Sequence, residues 1–172
     1  SLANLYLDLG RAEVQKLIKN EREKIDLIIP RGGEGLINYI KENSSVPVIV
    51  SGRGNNFMFA DESFDFDILK DVALNGKSRL SVCNALDKII FSANIKDYFL
   101  LADSLDSGIK LINKYSGGHS ATIITSNNAN ADIFKKEVDC AAVYHNVSTR
   151  FTDGGQFGFG AEIAISTQKL HF

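Results

Sequence analysis

Apolar residues follow two spacings along this chain, one typical of helices and one typical of buried strands. Repeats every three or four positions predict helices at 12–20, 36–42, 64–74 and 105–115, and residues 127–136 are interpreted as a polar connection and helix. Short continuous apolar runs bounded by turn residues predict strands at 25–30, 46–50, 56–60, 88–91, 98–102, 121–125 and 140–145. Because strands and helices alternate, the pattern predicts an α/β fold with a mostly parallel sheet flanked by helices.

Residues 25–50 read as one strand–turn–helix–strand crossover unit. Its turn contains Pro30, Arg31, Gly32 and Gly33 and opens the helix. Glycines there allow backbone N–H groups to approach a phosphate, and Arg31 adds a positive charge. The turn matches neither the dinucleotide fingerprint nor a P-loop, so a plain tight turn with a surface arginine fits equally well.

Composition narrows the class of protein without identifying it. The chain has 172 residues, of which 44% are hydrophobic and 23% charged, as in soluble globular proteins. A net charge of −2 gives no electrostatic footprint for nucleic acid or an anionic membrane. No apolar run approaches the roughly 20 residues that span a bilayer. The first residues, Ser1 to Asn4, lack the pattern of a signal peptide. The two cysteines are interpreted as free thiols in a reducing, cytoplasmic setting.

Cys83 lies between an apolar lead-in and the apolar run at 88–91. Ordered backbone on both sides would hold the thiol, and the N–H groups of Cys83 and Asn84 could converge on an oxyanion beside the sulfur. This arrangement is suited to nucleophilic attack on an activated acyl carbon. The alternative is a small apolar core cysteine, which the local spacing does not exclude.

Residues 148–155 follow the last predicted strand and combine three hydroxyls, one guanidinium and flexible backbone. Arg150 could hold a carboxylate or a phosphate through two parallel hydrogen bonds. A solvated loop tip is the competing interpretation.

The remaining candidate residues do not form a recognisable site. His119, His145 and His171 are far apart and lack metal-ligand spacing, so no zinc site is expected. His119 and His145 are interpreted as loop or strand-end residues, and Cys140 as a core residue.

Five segments together resemble one family, the gamma-glutamyl phosphate reductases of the aldehyde dehydrogenase superfamily. They are residues 25–37, 82–86, 141–155, 157–163 and 165–171. The resemblance implies an aldehyde dehydrogenase-like catalytic domain, preceded by a remnant βαβ unit of the cofactor domain. The corresponding domains would be residues 1–50 and 51–172.

The resemblance also implies an activity. Such enzymes reduce γ-glutamyl phosphate with NADPH to glutamate 5-semialdehyde in proline biosynthesis, and they form homo-oligomers. Cys83 would be the nucleophile, with Asn84 beside it. Pro30, Arg31, Gly32 and Gly33 would line the NADP(H) side, whereas Asn146, Ser148, Thr149 and Arg150 would lie near the substrate.

Several departures from the family leave an alternative open. Much of the dinucleotide-binding domain is missing, and the chain is short between Ile90 and Leu105. Asn56 and Phe57 replace a usual cysteine and histidine, and a family histidine and glutamate are lost at 118–121. One further feature fits the family: residues 51–54 lack the glutamate with which hydrolytic aldehyde dehydrogenases activate water, which argues against a third interpretation, a hydrolytic enzyme acting on another semialdehyde. The chain is therefore expected to be inactive alone, and a non-catalytic association or regulatory module of the same fold is the alternative.

Overall fold

The first unit of the chain is built around one minimal crossover. A computed structural model describes residues 10–19, 25–50, 54–92, 100–160, 162 and 165–167. It divides the chain into two compact units, Ser1–Ser51 and Gly52–Phe172. The first contains α1 (Arg11–Ile18) and α2 (Glu34–Asn43), close to the two predicted helices.

The strands predicted at 25–30 and 46–50 are reduced to a single parallel bridge between Ile28 and Val48. Ile28 N–H donates to the Pro47 carbonyl and Ile49 N–H donates to the Ile28 carbonyl, both at 2.9 Å. In a parallel ladder the next donors on either side would be the backbone nitrogens of Pro30 and Pro47. Proline carries no N–H, so the ladder cannot extend. The predicted strands were wrong here, although the parallel crossover around α2 remains.

The second unit is a five-stranded parallel sheet. Its strands are β1 (Asn56–Ala60), β2 (Leu86–Ser92), β3 (Leu100–Ala102), β4 (Ser120–Ile124) and β5 (Ala142–His145). Their order across the sheet is β3-β2-β1-β4-β5, and every neighbouring pair is parallel. All residues of β1 and β4 are buried, as expected for inner strands covered on both faces. The predicted α/β class with a parallel sheet is confirmed.

Helices cover both faces of this sheet. Connections that run in opposite directions along the sheet place right-handed crossovers on opposite faces. Accordingly α3 (Phe66–Lys77) packs on one face, in a cluster that includes Met58, Leu69 and Leu86. On the other face, α4 (Leu105–Tyr115) and α5 (Asn128–Glu137) pack in a cluster that includes Phe59 and Phe134.

Capping side chains set the helix starts. Asp65 accepts a hydrogen bond from Ile68 N–H, which begins α3 two residues after the predicted start at 64. Ser104 and Asn127 cap α4 and α5 in the same way. Helix α4 has the bounds that the apolar spacing predicts, because a strong cap precedes a regular stripe.

The described residues contain neither a membrane-spanning helix nor a cluster of metal-binding side chains. Among them, no helix has the length and apolar character needed to cross a membrane. They also include no group of three or more His, Cys, Asp or Glu side chains placed to hold a metal ion.

Candidate active site

The Cys83 thiol lies in a turn at the amino end of β2 and is exposed. The turn is closed by a hydrogen bond of 3.2 Å from Ala85 N–H to the Val82 carbonyl. Exposure rules out the interpretation of this residue as a buried core cysteine. The short turn between α3 and β2 therefore leaves the thiol accessible to solvent and restricts how its side chain can be oriented.

The Asn56 side chain holds the Cys83 turn in place through hydrogen bonds to its backbone. Its side chain is fully buried and donates from Nδ2 to the carbonyls of Cys83 and Ala85, both at 2.7 Å. Its Oδ1 accepts a 3.0 Å hydrogen bond from Ser120 N–H at the start of β4. Its own N–H donates to Asp87 Oδ2 at 2.8 Å. One amide side chain therefore ties the Cys83 turn to the first residues of two central strands.

Gly54 lies directly against the backbone of Cys83. A Cβ added at Gly54 would fall 2.9 Å from the Cys83 carbonyl carbon and closer still to its oxygen. The neighbouring atoms belong to backbone that Asn56 holds in place, so they cannot rotate away as a flexible side chain could. Only glycine fits at position 54, because any side chain there would collide with the Cys83 backbone.

Replacing Gly54 by alanine should therefore displace the Cys83 turn. We expect a loss of stability of about 1–3 kcal/mol from overpacking, together with a changed rate of Cys83 alkylation. Chemical denaturation and iodoacetamide labelling measure the two effects. Gly35→Ala is the control, because an added Cβ there meets nothing within 4 Å. Unchanged stability and labelling in Gly54→Ala would contradict the proposed close contact.

Residues 146–152, here called the return segment, bring the predicted substrate residues beside Cys83. Thr149 Oγ1 donates to the Asn84 carbonyl at 2.9 Å. The Asn84 side chain donates to the carbonyls of Thr152, at 2.9 Å, and Arg150, at 3.3 Å. The structure therefore joins Cys83 and Asn84 to a loop that lies 65 positions further along the sequence.

Two predicted substrate residues also shape the return segment. Asn146 has a positive φ of 57° and forms two hydrogen bonds with the Thr125 backbone, through Oδ1 and Nδ2. The Ser148 hydroxyl accepts a hydrogen bond from Arg150 N–H and begins the 3-10 turn Thr149–Phe151. These bonds fix where the segment leaves the sheet and where it turns.

A buried chain of hydroxyls supports the return segment from the sheet. Ser120 Oγ, Thr152 Oγ1 and the Tyr144 hydroxyl are linked by successive hydrogen bonds of 2.9 Å. His119 Nδ1 hydrogen-bonds to Ser120 Oγ at 2.8 Å, and burial lowers the pKa of this histidine. His119 is thus held neutral, as part of the sheet's support. Sequence reasoning missed this network, although serine and threonine within an apolar strand were a usable signal.

Arg150 is one of the residues that line a cavity. Its Nε and Nη1 are buried and have no hydrogen-bond partner among the described residues. The cavity, of about 420 Å³, lies between α3 and the return segment, and its lining includes Asp71, Asn75, Asn146 and Ser148. Its size is in the range of small-molecule sites.

The predicted cofactor residues lie in the first unit. Pro30 is buried, whereas Arg31, Gly32 and Gly33 are exposed. Gly33 precedes α2, and a Cβ added there would meet nothing within 4 Å. The free space, the helix amino terminus and Arg31 suit an anionic group, although Glu34 in the first turn of α2 partly opposes it.

Cys140 differs from Cys83 in its surroundings. It is half-buried against the apolar cluster of α4 and α5, and its Sγ lies 3.5 Å from Ser116 Oγ. Burial raises the pKa of its thiol, which keeps it protonated at neutral pH. It packs against the core as a partly buried residue, whereas the sequence predicts a core residue.

The sequence of this chain is similar to those of known proteins over almost its whole length. No family model matches the chain. The gamma-glutamyl phosphate reductase of Caldanaerobacter subterraneus subsp. tengcongensis is 41% identical over 215 positions, covering 97% of this chain and 52% of the relative. The alignment is longer than the chain's 172 residues, so at least 43 aligned positions face gaps in this chain. The gaps support the expectation that an internal family segment is missing.

Solved structures agree with the sequence comparison. The crystal structure of gamma-glutamyl phosphate reductase from Thermotoga maritima superposes with a TM-score of 0.87 at 37% identity, covering 96% of this chain and 51% of that one. The NADP-dependent glyceraldehyde-3-phosphate dehydrogenase of Bacillus halodurans shares the fold alone, with a TM-score of 0.68 at 13% identity. The chain thus has an aldehyde dehydrogenase fold. In sequence and structure it is similar to gamma-glutamyl phosphate reductases, and it spans about half the length of the curated relatives it matches.

Proposed function

We propose that this chain is the thiol-bearing part of an NADPH-dependent reductase that converts γ-glutamyl phosphate into glutamate 5-semialdehyde and phosphate, a step of proline biosynthesis. The observation that carries the proposal is the exposed Cys83 thiol, held beside the return segment by the hydrogen bonds of Asn84. Residues 1–50 would be a remnant of the cofactor domain, and residues 51–172 the catalytic domain. The free thiols suit a cytoplasmic, reducing setting.

The first chemical step would occur at Cys83. Its thiolate attacks the acyl carbon of the acyl phosphate, a C–S bond forms, and the C–O bond to phosphate breaks. The backbone N–H groups of Cys83 and Asn84 would stabilise the oxyanion of the tetrahedral adduct. Phosphate leaves as an anion and needs little acid assistance, which fits a site where the nearby histidine, His119, is buried and neutral.

The second step needs a hydride donor. Arg31, Gly32 and Gly33 would hold a phosphate of the dinucleotide, with Arg31 supplying the charge and Gly33 the free space described above. When bound, NADPH supplies the hydride that reduces the acyl group. The Cys83 sulfur then leaves as thiolate and the aldehyde is released. The protein's own task is to keep the thiol exposed, the acyl oxygen bonded and the carbonyl carbon oriented.

A second candidate function is a non-catalytic association or regulatory module of the same fold. The observation that favours it is the gap of at least 43 positions against the catalytic relatives. In either case we propose association into a homo-oligomer. Analytical ultracentrifugation tests this, and a monomer at all concentrations would contradict it.

Thiol labelling distinguishes the two candidates. We expect Cys83 to be alkylated by iodoacetamide at least about tenfold faster than Cys140 at pH 7, because only Cys83 is exposed and burial raises the pKa of Cys140. The rate at Cys140 should rise as pH increases, since its thiolate forms only at high pH. The single-cysteine variants Cys140→Ser and Cys83→Ser give each rate separately. Equally slow labelling of both thiols would favour the module.

A further inference from the structure

Two sets of hydrogen bonds meet at Ser120, the first residue of β4. The Ser120 N–H donates to Asn56 Oδ1 at 3.0 Å, and Asn56 Nδ2 donates to the Cys83 carbonyl at 2.7 Å. The Ser120 hydroxyl is hydrogen-bonded to Thr152 Oγ1 at 2.9 Å, and the Thr152 carbonyl accepts a hydrogen bond from Asn84 Nδ2 at 2.9 Å. Since Asn84 follows Cys83 in the chain, these four hydrogen bonds close a ring that begins and ends at the Cys83 turn.

This hydrogen-bonded ring is shielded from water and fixed to the sheet. Asn56 and Ser120 have no exposed surface, and Thr152 and Asn84 are 4% and 5% exposed. Away from water, the hydrogen bonds of the ring are stronger than they would be at the surface, and they reinforce one another. Asn56 and Ser120 also begin the central strands β1 and β4. Because strands hold side chains more precisely than loops do, the ring gives the Cys83 turn a rigid support.

We propose that Ser120 is a positioning residue for Cys83, and that it sets the geometry of acyl transfer from within the sheet. The assignment rests on the proposed function and deepens it. Ser120 is fully buried, so it acts through its neighbours and not by touching a substrate. Through Asn56 it fixes the Cys83 carbonyl, and through Thr152 it fixes the Asn84 side chain. Both ends of the turn that carries the thiol are thereby referred to one residue of the sheet.

The position of the turn matters more for acyl transfer than for alkylation of the thiol. In acyl transfer the thiolate sulfur bonds to the acyl carbon, phosphate leaves with the electron pair of the broken C–O bond, and the oxyanion must meet the N–H groups of Cys83 and Asn84. A displacement of about 1 Å in such groups can slow the reaction by about 100-fold. Iodoacetamide loses iodide from a saturated carbon and forms no oxyanion, so alkylation needs only an exposed thiolate. The two reactions therefore separate the position of the turn from the availability of the thiol.

Single-turnover acylation of Cys83 tests the proposal, with the Cys140→Ser chain as the parent so that one thiol remains. The probe is acetyl phosphate, and the release of inorganic phosphate is measured together with the hydroxylamine-sensitive thioester. Thr152→Val keeps the shape of threonine, breaks the ring at its hydroxyl–hydroxyl bond and leaves the hydrogen bond between His119 and Ser120 in place. We expect acylation to slow by at least about tenfold, and iodoacetamide labelling of Cys83 to change by less than about threefold.

Three further variants distinguish positioning from support of the fold. Ser120→Ala breaks the same bond from the other side, so it should also slow acylation, and adding Thr152→Val to it should cause no further loss. Thr152→Ser keeps the hydroxyl and should restore acylation. Tyr144→Phe is the matched control, because it removes a 2.9 Å hydrogen bond to the same Thr152 oxygen that lies outside the ring. It should leave acylation within about threefold of the parent chain.

Failure of this proposal can be told from failure of the proposed function. Acylation that is unchanged in both Thr152→Val and Ser120→Ala, or that slows equally in Tyr144→Phe, would overturn the role of Ser120 and leave the proposed role of Cys83 intact. A parallel loss of acylation and iodoacetamide labelling would also overturn it, because the thiol itself would then have become less available. A parent chain that is alkylated quickly but takes no acyl group from acetyl phosphate would contradict the proposed function, and this inference with it.

Discussion

Under the proposed function, replacing Cys83 by serine is expected to abolish turnover when the chain is joined to the half of the Thermotoga maritima gamma-glutamyl phosphate reductase that it does not cover. A hydroxyl at this position is a far weaker nucleophile than a thiolate, and nothing in the site replaces the lost sulfur. We expect a loss of at least about 1,000-fold. The measurement is phosphate-dependent reduction of NADP⁺ with glutamate 5-semialdehyde, the reverse of the proposed direction.

Cys140→Ser is the control for this experiment, because Cys140 is half-buried and lies among the residues of α4 and α5. It should keep turnover within about threefold, as expected for a small change away from the reacting atoms. The acylated residue can be located in parallel by peptide mapping after treatment with an acyl phosphate, with hydroxylamine used to release a thioester. Turnover that survives in Cys83→Ser, or an acyl group that maps to Cys140, would remove Cys83 from the nucleophile's role.

Asn56→Leu is expected to give the second large effect, on the stability of the second unit, Gly52–Phe172. The substitution leaves the carbonyls of Cys83 and Ala85 and the N–H of Ser120 without their partner. Since each unsatisfied buried group costs about 1–3 kcal/mol, we expect a loss of about 3 kcal/mol or more in the free energy of unfolding. Urea denaturation measures it, and Asn128→Ala on the exposed first turn of α5 is the control.

Asn56 should affect the thiol as well as the fold. Loss of its bond to the Cys83 carbonyl would loosen the turn, so the rate of iodoacetamide labelling at Cys83 should change while that at Cys140 should not. Asn56→Gln tests the same point with the amide retained but displaced by one methylene group. If Asn56→Leu unfolds like the wild-type chain, the bonds beneath Cys83 contribute little and our account of the turn is wrong.

Helix and strand positions in the second unit were predictable because local signals agreed there. Helix α4 follows Ser104, a strong cap, and its apolar positions repeat regularly, so its bounds could be found without a structure. The first unit was harder. Apolar runs at 25–30 and 46–50 indicated strands, yet Pro30 and Pro47 occupy the positions whose N–H groups would extend the ladder. Which residues face which across a sheet is a question of register, and apolarity does not answer it.

The sequence by itself determined the α/β class, most of the helices and strands of the second unit and the family resemblance. It also singled out Cys83 as a candidate nucleophile. Only the tertiary structure decided that this thiol is exposed. It alone showed that Asn56, which reads as the loss of a family cysteine, anchors the turn that carries Cys83. It alone showed that residues of α3 and of the return segment, Asp71 and Arg150 among them, line one cavity. The reason is physical: local propensity depends on neighbours along the chain, whereas burial, hydrogen-bond partners and cavities depend on residues that folding brings together from distant positions.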